Sequence, residues 1–244
     1  MITSHNGIAD LGTVLGVWAH PDDEAYLSGG VMALARDAGS RVVCVTATRG
    51  ERGTSDPVAW PPDRLAEQRT AELARCLALL GVTEHHWLDY PDGECPRIPD
   101  GEAVERLSTV IDRVRPDTVL TFGPDGITGH PDHRTVSTWT TAAFQRAAPS
   151  GARLLYAAFS ERRVSRWGRL DGELGVHFPG YPVPVPDDHL ALHVELDPHT
   201  VSRKVSALLA QQTQTAGLIA TMGLDRYTAW VGEESYRDAG AHRR

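Results

Sequence analysis

Along the first two thirds of this chain, apolar residues come in short continuous runs separated by longer stretches with helical spacing. Thr13 to Ala19, reading TVLGVWA, has the unbroken apolar character of a strand buried on both faces. Glu24 to Ala38 follows with helical spacing, and Gly39 suits the left-handed position just past a helix end. The alternation continues with a strand at Arg41 to Thr48, a helix at Leu65 to Leu80 and a short strand at His86 to Tyr90. A helix at Ala103 to Val114, a strand at Asp117 to Phe122, a helix at His133 to Ala147 and a strand at Arg153 to Ser160 complete it. This order predicts an α/β fold with a mostly parallel sheet covered by helices on both faces.

From residue 161 the pattern loosens. Four prolines, Pro179, Pro182, Pro184 and Pro186, predict a loop over Val176 to Asp188. Ala191 to Leu196 alternates as a strand does. Pro198 to Gln214 predicts one helix, with Asp197 as its cap and Pro198 in its first turn. The polar residues from about Glu233 on are expected to fray. No repeat and no linker divides the chain, so residues 1–244 are expected to form a single domain.

Composition narrows the function. The net charge of -8 argues against a protein that binds nucleic acid by neutralising phosphates. The opening MITSHNGIADLG lacks a basic cluster followed by an apolar run, so no signal peptide is expected, and no stretch is apolar for long enough to span a membrane. Cys44, Cys76 and Cys95 are widely spaced and form no CxxC pair, which fits a reducing cytoplasm.

Two clusters carry the chemistry. AHPDDE, residues 19–24, follows the first strand directly. Ligands of open α/β sheets bind beyond the carboxyl ends of strands. A His-x-x-Asp pair in such a turn can bring His20 and Asp23 to one metal ion, since zinc accepts imidazole nitrogen and carboxylate oxygen. Asp22, pointing elsewhere, is then free to act as a base. HPDH, residues 130–133, follows DTVLTF and the loop GPDGITG, so His133 can complete the ligand triad with His130 close by. The plainer reading makes each motif a helix cap, because an acidic residue at a helix start is favourable. Two such clusters after two parallel strands weigh against it.

At these residues the chain resembles the LmbE-like (PIG-L) family of zinc-dependent N-deacetylases. TRGERG at 48–53, EQRTAELARCLALLGV at 67–82 and LDYPDG at 88–93 agree, and the likeness is strong over 13–160. It implies a Rossmann-like three-layer fold, with 13–160 as the metal-site core and 161–244 as a variable substrate-side region. It implies Zn²⁺ on His20, Asp23 and His133, Asp22 as general base, and His130, protonated, stabilising the oxyanion. It implies substrate contacts for Arg69, Asp92 and Glu51. A solvated helix arginine, a Pro-Asp-Gly turn and a loop charge are the plainer readings of those three. A His₂Asp set also accepts other divalent metals, such as Fe²⁺ or Co²⁺.

The implied reaction is removal of acetyl from an N-acetylglucosamine-containing conjugate, a small-molecule amino-sugar substrate. Alternatives are an amidase removing a larger acyl group from a glucosamine-containing thiol or antibiotic precursor, and a non-catalytic metal- or ligand-binding module. The complete motif set argues against the last, as does the lack of GxGxxG after the first strand. The sequence leaves the oligomeric state open, a homo-oligomer included. One departure stands out: Thr128 occupies a position where some relatives carry tyrosine.

Overall fold

The computed structural model describes residues 6–242; residues 1–5, which belong to the segment read for a signal peptide, and 243–244 lie outside the described residues. One seven-stranded sheet organises the chain, in the order β3-β2-β1-β4-β5-β7-β6. Its strands are β1 (Val14–Trp18), β2 (Val42–Thr48), β3 (Glu84–Tyr90), β4 (Thr118–Phe122), β5 (Arg153–Ala157), β6 (Leu192–Glu195) and β7 (Glu233–Asp238). The first five are parallel, while β7 runs antiparallel to both β5 and β6. In β1, β2 and β4 every residue is buried, as strands covered on both faces require.

The helices are α1 (Asn6–Ala9), α2 (Asp23–Asp37), α3 (Pro62–Leu80), α4 (Asp100–Val114), α5 (Pro131–Ala147), α6 (Glu161–Leu174), α7 (Pro198–Leu209), α8 (Gln212–Met222) and α9 (Leu224–Trp230). Gly39 follows α2 at φ +86°, the left-handed position anticipated for it. The Asp197 carboxylate accepts the His199 and Thr200 N–H groups and caps α7. Among the described residues no helix is long and apolar enough to cross a membrane. The three cysteines are free and buried.

The last third departs from expectation in three places. Residues 233–238 do not fray: β7 lies between β5 and β6, with Glu234, Ser235 and Tyr236 buried. The single helix expected over 198–214 stops at Leu209, and a second begins at Gln212. Between them Gln211 is fully buried and donates from Nε2 to Glu24 Oε1 at 2.7 Å, so a tertiary contact makes the break. Finally, α6 was not expected. Its buried residues include Arg163 and Asp171, an ion pair at 3.0 Å, beside an apolar stripe at helical spacing.

The site's position follows from topology. The chain steps outward from β1 through β2 to β3, then returns to place β4 on the other side of β1. That reversal is the switch point where α/β sheets leave a crevice at their carboxyl edge. The loops leaving β1 and β4 flank it, and they carry HPDD and HPDH.

Candidate metal centre

Three donor side chains converge at the crevice. His20 Nδ1 lies 3.2 Å from His133 Nε2 and 3.4 Å from Asp23 Oδ2, and His133 Nε2 lies 3.3 Å from Asp23 Oδ1. Ligands about 2.0–2.1 Å from a tetrahedral zinc stand about 3.3 Å apart, so the spacing suits a shared ion. Hydrogen positions argue the same way. His133 Nδ1 faces the Gly126 carbonyl at 3.1 Å, which can only accept, so this nitrogen carries the hydrogen and Nε2 presents a lone pair. Thr128 Oγ1 adds a second contact to the same Nδ1 at 3.1 Å. His20 Nε2 stands 3.2 Å from both Asp92 Oδ1 and Asp132 Oδ2, so a ring hydrogen lies there and Nδ1 is the nitrogen turned on His133. Two imidazole nitrogens and a carboxylate facing one another call for positive charge between them, supplied by a shared ion or, without one, by a second proton on His20. The donors fit a divalent cation of zinc type.

Other donor groupings overlap this one: His20 with His130 and His133, and His20 with Asp92 and Asp132. Geometry separates their members. Asp132, fully buried, also accepts the Gly93 N–H at 2.8 Å, and Asp92 Oδ2 accepts the Arg52 N–H at 2.8 Å. Both carboxylates are anchored behind the His20 ring, the usual arrangement for groups that orient a metal-binding histidine. Asp132 drew no role from sequence; its signal was an acidic residue between two histidines at a helix start.

Asp22 lies at the start of α2, yet its carboxylate makes no capping bond. Glu24 Oε2 accepts the Asp22 N–H at 2.9 Å, and Asp22 itself sits at φ +106°, strained for a residue with a Cβ. The cap reading therefore fails for HPDD. It holds in part for HPDH, where His130 Nδ1 accepts the Asp132 N–H at 3.1 Å and caps α5.

Arg69 is buried rather than solvated. It donates to the Gly50 carbonyl at 2.7 Å and to the Pro21 carbonyl, and lies 3.4 Å from Asp22 Oδ2. Gly50, at φ +64°, is required there, because a Cβ would overlap the guanidinium. Glu51 Oε1 accepts the Asp92 N–H at 2.8 Å. Arg69 and Asp92 thus line the cavity while bracing its loops, and Glu51 braces from behind.

The electrostatics are uneven. Burial pushes the Asp22 carboxyl up to about 8, with the Arg69 guanidinium opposing. Burial also opposes ionisation of Asp23, but His133 and His20 outweigh it and hold this carboxyl at about 2. Burial lowers His133 to about 4. On His20 burial is outweighed by Asp132, Asp23 and Asp92, which raise it well above the ordinary imidazole value. Burial and the neighbouring His20 lower His130.

These residues open onto a cavity of about 710 Å³. Residues 15–144 match the family model PIG-L, described as GlcNAc-PI de-N-acetylase. The 1D-myo-inositol 2-acetamido-2-deoxy-alpha-D-glucopyranoside deacetylase of Kineococcus radiotolerans is 35% identical over 247 residues, covering 82% of this chain and 68% of that one. The chain belongs to the PIG-L family. Solved structures agree on the fold: an N,N'-diacetylchitobiose deacetylase from Pyrococcus horikoshii superposes with TM-score 0.67 at 21% identity, covering 98% of this chain and 88% of that one. So does GalB, a 4-carboxy-2-hydroxymuconate hydratase from Pseudomonas putida, with TM-score 0.63 at 18% identity, covering 93% and 96%. One fold thus serves two reactions, and in a PIG-L member the chemistry must be argued from the side chains.

Proposed function

We propose that this PIG-L protein hydrolyses the acetamide of an N-acetylglucosamine-containing conjugate, with a divalent metal, zinc by preference, held by His20, Asp23 and His133. The observation that carries the reading is the mutual 3.2–3.4 Å spacing of those three donors beside a carboxylate, Asp22, that makes no capping bond. The named relative is a deacetylase of such a conjugate, which supports the same class. The ion, when bound, would polarise the acetyl carbonyl and lower the pKa of water toward about 7.

The remaining work falls to the chain. Asp22 takes the proton of the attacking water and returns it to the leaving amine. Burial pushes its carboxyl up from the ordinary range, and a base poised near the working pH can both take and give a proton. Arg69 holds Asp22 and the Pro21 carbonyl in place. His130 Nδ1 is committed to the Asp132 N–H, which leaves Nε2–H to donate to the developing oxyanion from a neutral ring. This replaces the protonated His130 expected from sequence. Thr128 hydrogen-bonds His133, which suits an orienting role for the hydroxyl found there.

Arg69 and Asp92 line the cavity and fit a second role against sugar hydroxyls, while Glu51 acts through Asp92. We read residues 1–244 as one domain whose last third walls the substrate cavity. The free, buried cysteines fit a cytoplasmic setting.

The test is acetate and amine release from N-acetylglucosamine conjugates, with metal content measured on the same samples. Asp22→Asn should retain metal and lose activity by roughly 10²–10⁴-fold, the scale of a lost general base. Near-normal turnover would remove Asp22 from the mechanism. No hydrolysis of any acetylated amino sugar by the metal-loaded protein would sink the substrate class.

A further inference from the structure

The cavity is larger than the proposed reaction needs. Its 710 Å³ lies within the roughly 300–1,000 Å³ of sites for drug-sized ligands, whereas an acetyl group has only three heavy atoms. If the enzyme is a deacetylase, as proposed above, most of this volume serves the conjugate and not the acyl group.

The wall away from the metal donors has its own composition. Tyr26 stands one helical turn beyond Asp22 on α2, so the two share a face and the cavity runs along it. Trp230 packs edge-on to Tyr26 with ring centres 5.8 Å apart, and its indole N–H is fixed by Asp171 at 2.7 Å. Leu218 and Phe159 complete an apolar surface. Tyr227 donates its hydroxyl hydrogen to Tyr26 at 2.8 Å, which leaves the Tyr26 hydrogen free to donate.

Charge at the end of this wall is unbalanced. Arg163 is paired with Asp171 at 3.0 Å, and Lys204 with Glu234 at 2.7 Å. Glu233 lines the cavity beside Arg163 and acts on Arg163 and Lys204 through space, but forms no ion pair within 4.0 Å among the described residues. Over these five groups one negative charge is in excess; the Arg163 guanidinium already covers the Phe159 ring at 3.7 Å and stands 5.6 Å from the Trp230 ring centre, so Tyr26 and the rest of Trp230 are the aromatic surface left for an incoming group. Aromatic faces attract cations, and a carboxylate forms a charge-assisted hydrogen bond with an ammonium group.

We infer that Tyr26, Trp230, Leu218 and Glu233 form a second substrate subsite, which takes an aglycone with an apolar ring face and a protonated amine. Apart from Tyr26 these residues lie beyond the 15–144 family match, so the preference is set by the last third of the chain. Glu233 is the specificity-determining residue and Tyr26 and Trp230 are the platform.

Four N-acetylglucosaminides test it: methyl, phenyl, 4-(2-aminoethyl)phenyl and 4-carboxyphenyl. Each is measured for kcat/KM by acetate release and, separately, for Kd by calorimetry on the full-length, metal-loaded protein. The aminoethylphenyl compound should exceed the methyl one by roughly tenfold in kcat/KM and bind with a roughly tenfold lower Kd, with phenyl between them and carboxyphenyl last. In Glu233→Gln the ratio of aminoethylphenyl to phenyl should fall to about one. Equal values for all four compounds, or a lead for carboxyphenyl, would overturn the subsite even if every variant failed to fold. Turnover of none, with the binding order intact and lost in Glu233→Gln, would sink the deacetylase reading and support the subsite.

Discussion

Residues 13–160 and the stretch from 161 onward meet at one cavity, but they are built on opposite terms. The first stretch supplies the proposed donors, the proposed base and the loops that aim them. It accepts local cost to do so: a strained Asp22, facing imidazoles, and carboxylates packed behind His20. The second supplies cavity wall and brace. Glu234 of β7 reaches into the middle of α2 and accepts the Gly30 and Val31 N–H groups, both at 2.7 Å. Lys204 of α7 donates to the Tyr26 carbonyl at 2.8 Å, and Tyr236 of β7 donates to that of Leu27 at 2.6 Å. The helix that follows Asp22 and opens with Asp23 is thus clamped by the stretch that carries no part of the metal motif. Function and its support are divided between regions, so the same kind of substitution should act differently in each.

The sharpest way to break this comparison is to cut the clamp. Lys204 and Glu234 are both buried, and burial lowers the lysine's pKa against the pull of Glu234. Lys204→Met keeps the stem and strands the Glu234 charge, a loss of about 3–5 kcal/mol for a broken buried pair. At about 2–4 °C per kcal/mol for a chain of this size, Tm should fall by roughly 10 °C. Metal content should remain near stoichiometric in protein that is still folded. An unchanged Tm with activity lost would place Lys204 among the functional groups and dissolve the division.

The same division explains what could be read from sequence. Strands covered on both faces appear as apolar runs, so β1, β2 and β4 announce themselves as VLGVW, VVCVTAT and TVLTF. His20, Asp22, Asp23, His130 and His133 are legible because each sits beside a strand's carboxyl end. The strand β7, EESYRD, is not legible, because Glu234 is buried only by virtue of Lys204 and two helix N–H groups far away in sequence. The break at Gln211 has no glycine or proline to mark it and depends on Glu24. By contrast α6 could have been found: Val164, Trp167, Leu170 and Leu174 recur at helical spacing between charges. Asp132 could have been found too, since it lies inside a motif whose two histidines had been given roles.

Asp132 offers a smaller test within the first region. Its Oδ2 holds His20 Nε2 at 3.2 Å and the Gly93 N–H at 2.8 Å. Asp132→Asn removes the charge behind the ring, and losses at such positions run to about 10–100-fold in metal affinity. Competition with a chelator, followed by metal analysis, measures it. Stability of the metal-free protein should change far less than in Lys204→Met. A Tm loss as large as that variant's, with metal affinity intact, would class Asp132 with the braces.

The last effect is the most diagnostic, because its sign opposes the clamp's. In the metal-free protein burial pushes the Asp22 carboxyl up to about 8. An unfolded chain releases that proton near pH 4. Between those values the native state binds a proton that the unfolded state has given up, so stability declines as pH rises, and the full penalty is in place above about pH 8. Asp22→Asn removes the charge and with it the penalty. Its Tm advantage over the parent should therefore be near zero at pH 4 and grow steadily up to about pH 8, as expected where function is held at a cost in stability. Thermal melts of both proteins across that range, with metal stripped, measure it. An advantage constant with pH would assign the gain to relief of the strained φ, which asparagine tolerates better than most residues. No advantage at any pH would mean that Asp22 is held without electrostatic cost, and the contrast between a costly site and its supporting clamp would fail at the residue that best defines it.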